Sequence, residues 1–264
     1  MTSRLKDKWI LITGASSGFG AAAAQAFAEA GARLLLGARR IERLEQVAAE
    51  ARHAGAASAH HHFLDVSQAS SVEQFAAWAK ATIQAAGDPQ NLHVLINNAG
   101  GALGLDSVAR GLDADWETML QTNVLGVLRM TRAMLPLLPH HAGASILNIG
   151  SYAGHAAYEG GSAYCAAKAG ELQLTRVLRL ELNGTGIRVS SIDPGLALTE
   201  FSLVRFKGDT ARADQVYAGT QPLTAVDIAE IMVWVASRPP HVSIDELLVK
   251  PTDQAATHKV YRRG

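Results

Sequence analysis

The chain has 264 residues, of which 48% are hydrophobic and 18% are charged, so it can bury a large core and is not a disordered segment. Its 24 Lys and Arg residues balance 24 Asp and Glu residues, and without a basic excess nothing points to a nucleic acid or an anionic membrane as partner. The single cysteine, Cys165, excludes an intrachain disulfide and suits a reducing compartment.

Short apolar runs alternate with helical patterns along the chain. Strands are predicted at residues 9–13, 33–37, 63–66, 94–96, 145–149, 188–192 and 246–249. Helices are predicted at residues 18–31, 41–54, 71–86, 116–138, 163–183 and 225–236. Because such alternation needs crossover connections, it predicts an α/β fold. We expect a Rossmann-type doubly wound sheet of seven mainly parallel strands with helices on both faces.

No linker rich in Pro, Gly or Ser and no internal repeat interrupts this alternation, so residues 1–264 are predicted to form a single domain. The least regular stretch, residues 195–222, follows the sixth strand at the edge of the sheet that carries ligands in such folds. We predict that this stretch is a substrate lid. The segment from Met1 to Ile12 lacks the features of a signal peptide, and no apolar run approaches the ~18 residues of a membrane span. A soluble cytoplasmic protein is expected.

A glycine-rich turn joins the first strand to the first helix. Its glycines permit a tight turn and a close approach of the backbone to a pyrophosphate, and the helix N-terminus supplies amide donors. The spacing differs from G-x-G-x-x-G, and an ordinary strand–helix connection can also use glycine. The position after the first strand favours a dinucleotide site. Its predicted residues here are Gly14, Ser16, Ser17, Gly18, Phe19 and Gly20.

About 20 residues further on, dinucleotide folds that bind NAD carry an acid for the adenosine ribose. The corresponding window, residues 37–40, contains no acid but contains Arg39 and Arg40. Because guanidinium groups pair well with phosphate, we predict NADP(H) as the cofactor. Arg39 is the predicted main contact to the 2′-phosphate and Arg40 a second one. The alternative is two solvated arginines at the start of the next helix.

Polar residues also follow the third and fourth predicted strands. Asp65, followed by Val66, is placed either to accept a hydrogen bond from the adenine amino group or to cap the next turn. Asn97, Ala99 and Gly100 end the fourth strand, where Asn97 either flanks the adenosine ribose or stabilises the sheet. The sequence leaves both alternatives open for each of the two side chains.

Tyr164 and Lys168 stand four residues apart on a predicted helix and therefore on one face. A free tyrosine has a pKa of ~10, but a nearby ammonium and an oxidised nicotinamide favour the phenolate. Tyr164 is therefore a candidate to take or give the alcohol proton, and Lys168 to hold the nicotinamide ribose. On its own, the pattern Y-x-x-x-K is common by chance.

Two further residues support this pair. Ser151 ends the fifth strand at the carboxyl edge of the sheet, where its hydroxyl is a candidate to fix the substrate oxygen beside Tyr164. Asn123 lies within a predicted long helix, although asparagine is a mediocre helix former. A local break there would expose a backbone carbonyl to a water that relays protons to Lys168. As a lone residue, Asn123 would instead be a satisfied polar group.

In chain order the motifs are Thr13-Gly14-x-x-x-Gly18-x-Gly20, Asn97-Asn98-Ala99-Gly100, Asn123, Ser151, Tyr164-x-x-x-Lys168 and Pro194-Gly195. This combination, which spans essentially the whole chain, resembles the classical short-chain dehydrogenase/reductase family. The resemblance implies hydride transfer at nicotinamide C4 without a metal, by a catalytic tetrad of Asn123, Ser151, Tyr164 and Lys168. It also implies that Pro194 and Gly195 shape the nicotinamide pocket and that Leu196 and Thr199 meet the carboxamide.

A narrower likeness lies in residues 116–119, 148–151 and especially 199–209, which resemble the bacterial NADP-dependent serine / 3-hydroxy acid dehydrogenases. That group oxidises L-serine, L-allo-threonine and related 3-hydroxy acids and reduces malonic semialdehyde, and close relatives reduce sulfoacetaldehyde. Such substrates carry an anion near the reacting carbon. With Ser151 and Tyr164 at the reacting oxygen, Arg205, aided by Lys207, is a candidate to anchor that anion. The alternative is that both cations are solvated loop charges.

His60, His61 and His62 look like a metal tract, but adjacent strand side chains point to opposite faces, and we predict no metal site. The family resemblance further implies a homotetramer, formed by the long helices and by a C-terminal stretch from Pro251 that reaches a neighbouring subunit.

The sequence thus predicts an NADP-dependent oxidoreductase for a small 3-hydroxy acid or its semialdehyde or keto form, of the serine, allo-threonine or 3-hydroxypropionate type. One alternative is a reductase of another small carbonyl, such as sulfoacetaldehyde, a sugar or a bulkier ketone. An alternative of a different class is a non-catalytic NADP-sensing protein.

Overall fold

The computed structural model describes residues 2–87 and 91–264, so Met1, where the predicted domain begins, lies outside the described residues. Seven of the described strands form one sheet in the order β3-β2-β1-β4-β5-β6-β7, and every neighbouring pair is parallel. The strands are β1 (Trp9–Thr13), β2 (Arg33–Ala38), β3 (Ser58–Phe63), β4 (Leu92–Asn97), β5 (Ser145–Ile149), β6 (Arg188–Pro194) and β7 (Glu246–Val249). The predicted α/β fold with a seven-stranded doubly wound sheet is confirmed.

Helices cover both faces of the sheet. They are α1 (Gly18–Glu29), α2 (Ile41–His53), α3 (Ala69–Ala85), α4 (Asp113–Leu120), α5 (Gly126–Met134), α6 (Ser162–Glu181), α7 (Phe201–Arg205), α8 (Thr210–Tyr217) and α9 (Ala225–Ala236). A small antiparallel pair, β8 (Gln254–Ala256) and β9 (Lys259–Val260), follows the sheet. No helix in the described ranges is long and apolar enough to cross a membrane.

Two cores lie on opposite faces of the sheet. The helices α1, α2 and α9 pack on one face around residues such as Phe27, Leu34 and Ile228. On the other face, α3, α5 and α6 pack around Trp9 and Phe75, among others. Every residue of the central strand β1 is buried, which explains why its sequence is a continuous apolar run without a polar face. The carboxyl ends of the central strands are thereby held rigidly at one edge.

The third strand does not lie at residues 63–66, as predicted, but at Ser58–Phe63. It pairs with β2 at the edge of the sheet, and an edge strand that is partly exposed does not need an apolar sequence. The histidine tract lies within it, with the His62 ring stacked on Trp78 at 5.2 Å. Asp65 and Val66 therefore follow the strand rather than end it. Across the described part of the chain, no cluster of three or more potential ligands is arranged to hold a metal ion.

The helix predicted at residues 116–138 is divided into α4 and α5 by a π-helical turn at Gln121–Leu125. Asn123 lies in this turn and is buried. Its side-chain amide donates to the carbonyls of Met119 (2.8 Å) and Gly101 (3.0 Å) and accepts from the Gly101 amide (3.1 Å). The local break that the sequence suggested is present, because these hydrogen bonds replace part of the regular helical ladder.

Candidate active site

The carboxyl ends of β1, β4, β5 and β6 open on one cleft of about 730 Å³, a volume typical of small-molecule sites. The cleft extends from the glycine-rich turn to α7 and α8. The predicted cofactor residues that line it are Gly14, Ser16, Ser17, Gly18, Phe19, Arg39, Arg40, Asp65, Val66, Ala99, Gly100, Tyr164, Lys168, Pro194, Gly195, Leu196 and Thr199. Gly20 and Asn97 are buried behind its wall.

The glycine-rich turn leaves no space for a side chain at Gly14. Gly14 has a φ of +65°, and a Cβ added there would lie 2.9 Å from the Ala99 Cα atom. Ser17 precedes α1 in an extended conformation and makes no side-chain capping hydrogen bond. The first amides of α1 are thus not satisfied by a capping side chain, which suits an anion at this helix N-terminus.

Arg40 is fixed between this turn and residues 195–222. Its guanidinium donates to the hydroxyls of Ser16 and Ser17 and pairs with Glu200 at 2.9 Å. Arg39 also lines the cleft and has no side-chain partner among the residues that the structure describes. Both arginines therefore stand where the sequence placed them, but only Arg39 has all its donors available to a ligand.

Glu200 is a further residue of the cleft for which the sequence alone gives no signal. It contacts Arg40 and also Arg43, whose guanidinium lies 2.6 Å from its second oxygen. Hydrogen bonds from these two arginines lower the pKa of the Glu200 carboxyl. This carboxylate ties the residues before α7 to the start of α2, across the cofactor end of the cleft.

For Asn97, the structural alternative is correct and the ribose contact is wrong. Its side chain is buried and donates to Asn148 Oδ1 (2.9 Å) and Thr131 Oγ1 (3.1 Å) inside the sheet. The neighbouring Asn98 lines the cleft instead and donates to the Thr13 carbonyl at 2.9 Å. Successive strand residues face opposite sides, and the sequence did not show which asparagine faces the ligand.

Asp65 satisfies the capping alternative and still lines the cleft. Its Oδ1 atom accepts from the amide (3.0 Å) and hydroxyl (2.7 Å) of Ser67. The carboxylate also borders the cleft beside Val66. The position of this residue is therefore compatible with both predicted roles.

Three of the four predicted catalytic residues, Ser151, Tyr164 and Lys168, line the cleft. Tyr164 lies in the first turn of α6, its ring largely buried, and its hydroxyl has no protein partner within the described ranges. Ser151 accepts from the Ala153 amide at 3.1 Å, which leaves its own proton available. Asn123 lies behind the wall, beside Gly100, where an added Cβ would lie 2.7 Å from Asn123 Oδ1 and 3.7 Å from Lys168 Nζ.

Lys168 is buried one helical turn beyond Tyr164. Its ammonium donates to the Ile149 carbonyl at 2.8 Å and to Glu171 Oε2 at 2.6 Å. Burial would lower the pKa of Lys168, but the adjacent Glu171 carboxylate, together with Tyr164 and Asp193, outweighs this effect and raises the pKa. Lys168 is therefore a permanent cation beside the Tyr164 phenol. Glu171 had not been selected from the sequence, because an acid three residues after a lysine is an ordinary helical pair.

The far end of the cleft is aromatic and cationic. The Arg205 guanidinium carbon lies 5.1 Å from the Tyr164 ring centre and 4.9 Å from that of Phe201. One guanidinium nitrogen donates to the Tyr158 hydroxyl at 2.8 Å, whereas the Nε atom is buried with no hydrogen-bond partner in the described structure. The interpretation of Arg205 as a solvated loop charge is therefore wrong.

Lys207 does not join Arg205. It lies past the end of α7 with a φ of +53°, pairs with Asp115 at 3.1 Å and does not line the cleft. The predicted contribution of Lys207 to an anion anchor is wrong, because the chain leaves the helix between the two residues and carries Lys207 to the outer surface.

Other residues at the Arg205 end of the cleft were not indicated as site residues by the sequence. The Tyr217 hydroxyl, on α8, donates to the Ala197 carbonyl at 3.0 Å and lies 2.7 Å from the Ser202 hydroxyl. Gln254, in β8, accepts from the Leu196 amide at 2.7 Å. These contacts join segments far apart in the chain, and all of these residues line the cleft.

Comparisons with known proteins agree with this geometry. The short chain dehydrogenase family model matches residues 8–208. The chain is 43% identical to the NADP-dependent 3-hydroxy acid dehydrogenase of Schizosaccharomyces pombe over 99% of both chains. It is 45% identical to the sulfoacetaldehyde reductase of Chromohalobacter salexigens, over 93% of this chain and 94% of that one.

A solved structure, the closed form of serine dehydrogenase complexed with NADP+, superposes with a TM-score of 0.86 at 37% identity. The match covers 97% of this chain and all of the other. Identity at this level over nearly the whole length, together with the family model, establishes common ancestry. The chain belongs to the short-chain dehydrogenase family.

Proposed function

We propose that this NADP-dependent oxidoreductase interconverts a small 3-hydroxy acid and its semialdehyde or keto form, of the serine, allo-threonine or 3-hydroxypropionate type. The observation that carries the proposal is the Arg205 guanidinium, held at the aromatic end of the cleft. One of its terminal nitrogens donates to Tyr158, and the other makes no hydrogen bond in the described structure and is not buried. A carboxylate in the cleft would accept a charge-assisted hydrogen bond from this second nitrogen.

The cleft fits NADP(H). Gly14 and Gly18 line the cleft at the N-terminus of α1, where its free amides would bind a pyrophosphate, and Arg39 has donors available for a 2′-phosphate. The other proposed contacts are Asp65 and Val66 to the adenine, Lys168 to the nicotinamide ribose, and Pro194, Gly195, Leu196 and Thr199 to the nicotinamide. When bound, NADP+ accepts a hydride from the alcohol carbon and NADPH returns it.

The proton is moved by the chain's own residues. Tyr164 takes the hydroxyl proton during oxidation and gives one to the carbonyl oxygen during reduction. The Lys168 ammonium favours the phenolate form of Tyr164, and Ser151 donates a hydrogen bond to the substrate oxygen. Asn123 holds the π-helical turn, whose backbone would keep a water near Lys168. Arg205 then sets the distance between the anionic group and the reacting carbon.

Tyr158 assists Arg205 as a neutral donor. Burial raises the pKa of its phenol despite the opposing effect of Arg205, so the hydroxyl keeps its proton at neutral pH. Since that hydroxyl accepts from Arg205 at 2.8 Å, its proton points elsewhere and is available to the substrate anion. The two side chains together would recognise a carboxylate or a sulfonate.

A substrate panel tests the proposal. With NADP+, the purified protein should oxidise 3-hydroxypropionate, L-serine or L-allo-threonine with a kcat/KM about 10- to 150-fold above that for 1-propanol, the equivalent of one charge-assisted hydrogen bond. NADPH formation at 340 nm is the readout. Robust turnover of uncharged alcohols and ketones with none of the acids would reject this specificity.

A second candidate is the reduction of sulfoacetaldehyde. It is favoured by the relative named a sulfoacetaldehyde reductase and by the fact that a guanidinium pairs with a sulfonate as well as with a carboxylate. Isethionate in the same panel separates the two candidates. A kcat/KM for isethionate that exceeds those for all three acids would make the sulfonate the preferred anion.

The cofactor contact has its own test. Replacing Arg39 by Ala should weaken NADP+ binding about 10- to 150-fold and leave NAD+ binding unchanged, because a charge-assisted hydrogen bond contributes about 1.5–3 kcal/mol. Calorimetric Kd values for both nucleotides measure the effect, with R110A, at an exposed arginine outside the cleft, as the matched control. An unaltered NADP+ to NAD+ preference in R39A would show that another group binds the phosphate.

We further propose the following domain organisation, assembly and location for the protein. Residues 1–264 act as a single domain in which residues 195–222 form the lid; the chain assembles as a homotetramer; and the protein works in the cytoplasm. Exposed apolar side chains on α6 and α9, namely Val177, Leu180, Val226 and Trp234, support the tetramer. Light scattering gives the mass, and a monomeric mass at micromolar concentration would refute the assembly.

A further inference from the structure

A second buried charge lies behind the catalytic lysine. Glu171 stands one turn beyond Lys168 on α6, is 1% exposed and places Oε2 2.6 Å from the lysine Nζ. Its other oxygen, Oε1, is buried and has no hydrogen-bond partner in the part of the chain that the structure describes. The ammonium has three protons. With Glu171 and the Ile149 carbonyl accepting two of them, one remains for the cleft.

Stability does not explain this carboxylate. Burying an ion pair costs desolvation that often exceeds the attraction, so an apolar residue of similar size would serve the fold as well or better. The unpaired Oε1 adds to this cost. The neighbours Leu172 and Thr175 on the same helix are also buried. The carboxylate is therefore better explained by its effect on Lys168.

We propose that Glu171 is a positioning residue of the reaction, which fixes the Lys168 ammonium and sets the net charge that the Tyr164 phenol experiences. This inference rests on the proposed function in one respect, namely that Tyr164 is the acid–base group. It adds a control on that group through a residue that touches neither substrate nor cofactor. As a consequence, the pH dependence of catalysis reflects the ionisation of Glu171 as well as that of Tyr164 and Lys168.

Two ionisable groups act on the charge of Glu171. Lys168 faces it from the same helix and Asp193 faces it from β6. Asp193 is buried in turn, and its carboxylate accepts from the Ser191 hydroxyl (2.6 Å) and contacts His155 Nε2 (3.0 Å). Burial raises the pKa of Glu171 to about 7, with Asp193 adding to the rise and Lys168 opposing it. Glu171 therefore gains or loses its charge in the working pH range.

The sign of the effect follows from the charges. Above about pH 7, ionised Glu171 cancels much of the Lys168 charge and makes the phenolate of Tyr164 less favourable. Below that pH, protonated Glu171 no longer offsets the positive charge of Lys168, and the phenolate of Tyr164 becomes more favourable. Replacing Glu171 by Gln keeps the shape and removes the negative charge at every pH. Lys168 loses one stabilising partner in this variant but keeps its proton through the Ile149 carbonyl, Asp193 and the Tyr164 phenolate itself. The ionisation of Tyr164 should then move to lower pH.

Ultraviolet difference titration of the apoprotein tests this without any substrate. Phenolate absorbance near 295 nm is recorded for the wild type and for E171Q, and the matching Y164F background is subtracted from each. We expect the Tyr164 step in E171Q to lie lower by about half a pH unit or more, a typical effect of one nearby charge. E181Q, which changes an exposed acid on the same helix, should coincide with the wild type.

Catalysis provides the second readout. In 3-hydroxypropionate oxidation, the rising limb of the kcat/KM profile should shift to lower pH by the same amount in E171Q, and E171D should return toward the wild type. E171M, an apolar residue of similar volume, should show the same shift and serves if E171Q is unstable. A Tyr164 step that is unchanged or moves to higher pH would overturn the inference. Failure of the substrate panel alone would overturn only the proposed specificity.

Discussion

Replacing Tyr164 by Phe is expected to lower kcat by about 10²- to 10⁴-fold, the usual contribution of a positioned proton donor or acceptor. The ring lies 5.4 Å from that of Phe201 and 5.1 Å from the Arg205 guanidinium, and both contacts persist when only the hydroxyl is removed. NADPH binding should therefore remain within a few-fold of the wild type. Steady-state kinetics and NADPH fluorescence titration measure the two quantities separately.

A matched control distinguishes the loss of proton transfer by Tyr164 from a general effect of removing a tyrosine hydroxyl. Tyr261 is exposed and lies outside the cleft, so Y261F should retain full activity. Activity near the wild-type level in Y164F would contradict the assignment of Tyr164. If cellular function persisted in Y164F while NADPH still bound, the alternative of a non-catalytic NADP-sensing protein would be favoured.

The sequence was sufficient to place the glycine-rich turn and the pair Tyr164 and Lys168 at the edge of the sheet where the cleft lies, because the relevant residues are local. Gly14 and Gly18 follow β1 and open α1, so their place at a strand tip depends only on recognising two adjacent elements. Tyr164 and Lys168 share a face of α6 for the same reason. The prediction failed at β3, where the polar edge strand at Ser58–Phe63 has less hydrophobic character than the loop that follows it.

The substrate end was less predictable because its contacts are tertiary. Tyr158 precedes α6 and Tyr217 ends α8, and nothing in their local sequence shows that both border the cleft near Arg205. Glu171 illustrates the same limit, since its spacing from Lys168 is that of any surface pair. Only burial by the surrounding sheet turns it into a group that controls the lysine.

The two ends of the cleft are linked by the segment between β6 and α8. Glu200 pairs with Arg40 and Arg43 at the cofactor end, and Arg205, five residues later, reaches the Tyr164 ring at the substrate end. The short helix α7 spans the distance between them. A change in the position of this helix would therefore alter the proposed cofactor contact and the proposed anion contact together, as the proposed role of a lid requires.

Replacing Arg205 by Ala should have the largest effect on substrate selection. We expect kcat/KM for 3-hydroxypropionate to fall about 10- to 150-fold for each charge-assisted hydrogen bond lost, at about 1.5–3 kcal/mol per bond. Turnover of an uncharged alcohol such as 1-propanol should stay within a few-fold. The ratio of the two values of kcat/KM is the measurement, since any general disturbance of Tyr164 lowers both.

Two further variants identify the cause. R205K keeps the charge but lacks the planar fork, so it should recover only part of the preference for acids. K207A removes a cation two residues away that is paired with Asp115 outside the cleft, and should leave the preference unchanged. An unaltered KM for acids in R205A would remove Arg205 from substrate binding. The specificity would then depend on another donor of the cleft, of which Tyr158 is the first to test.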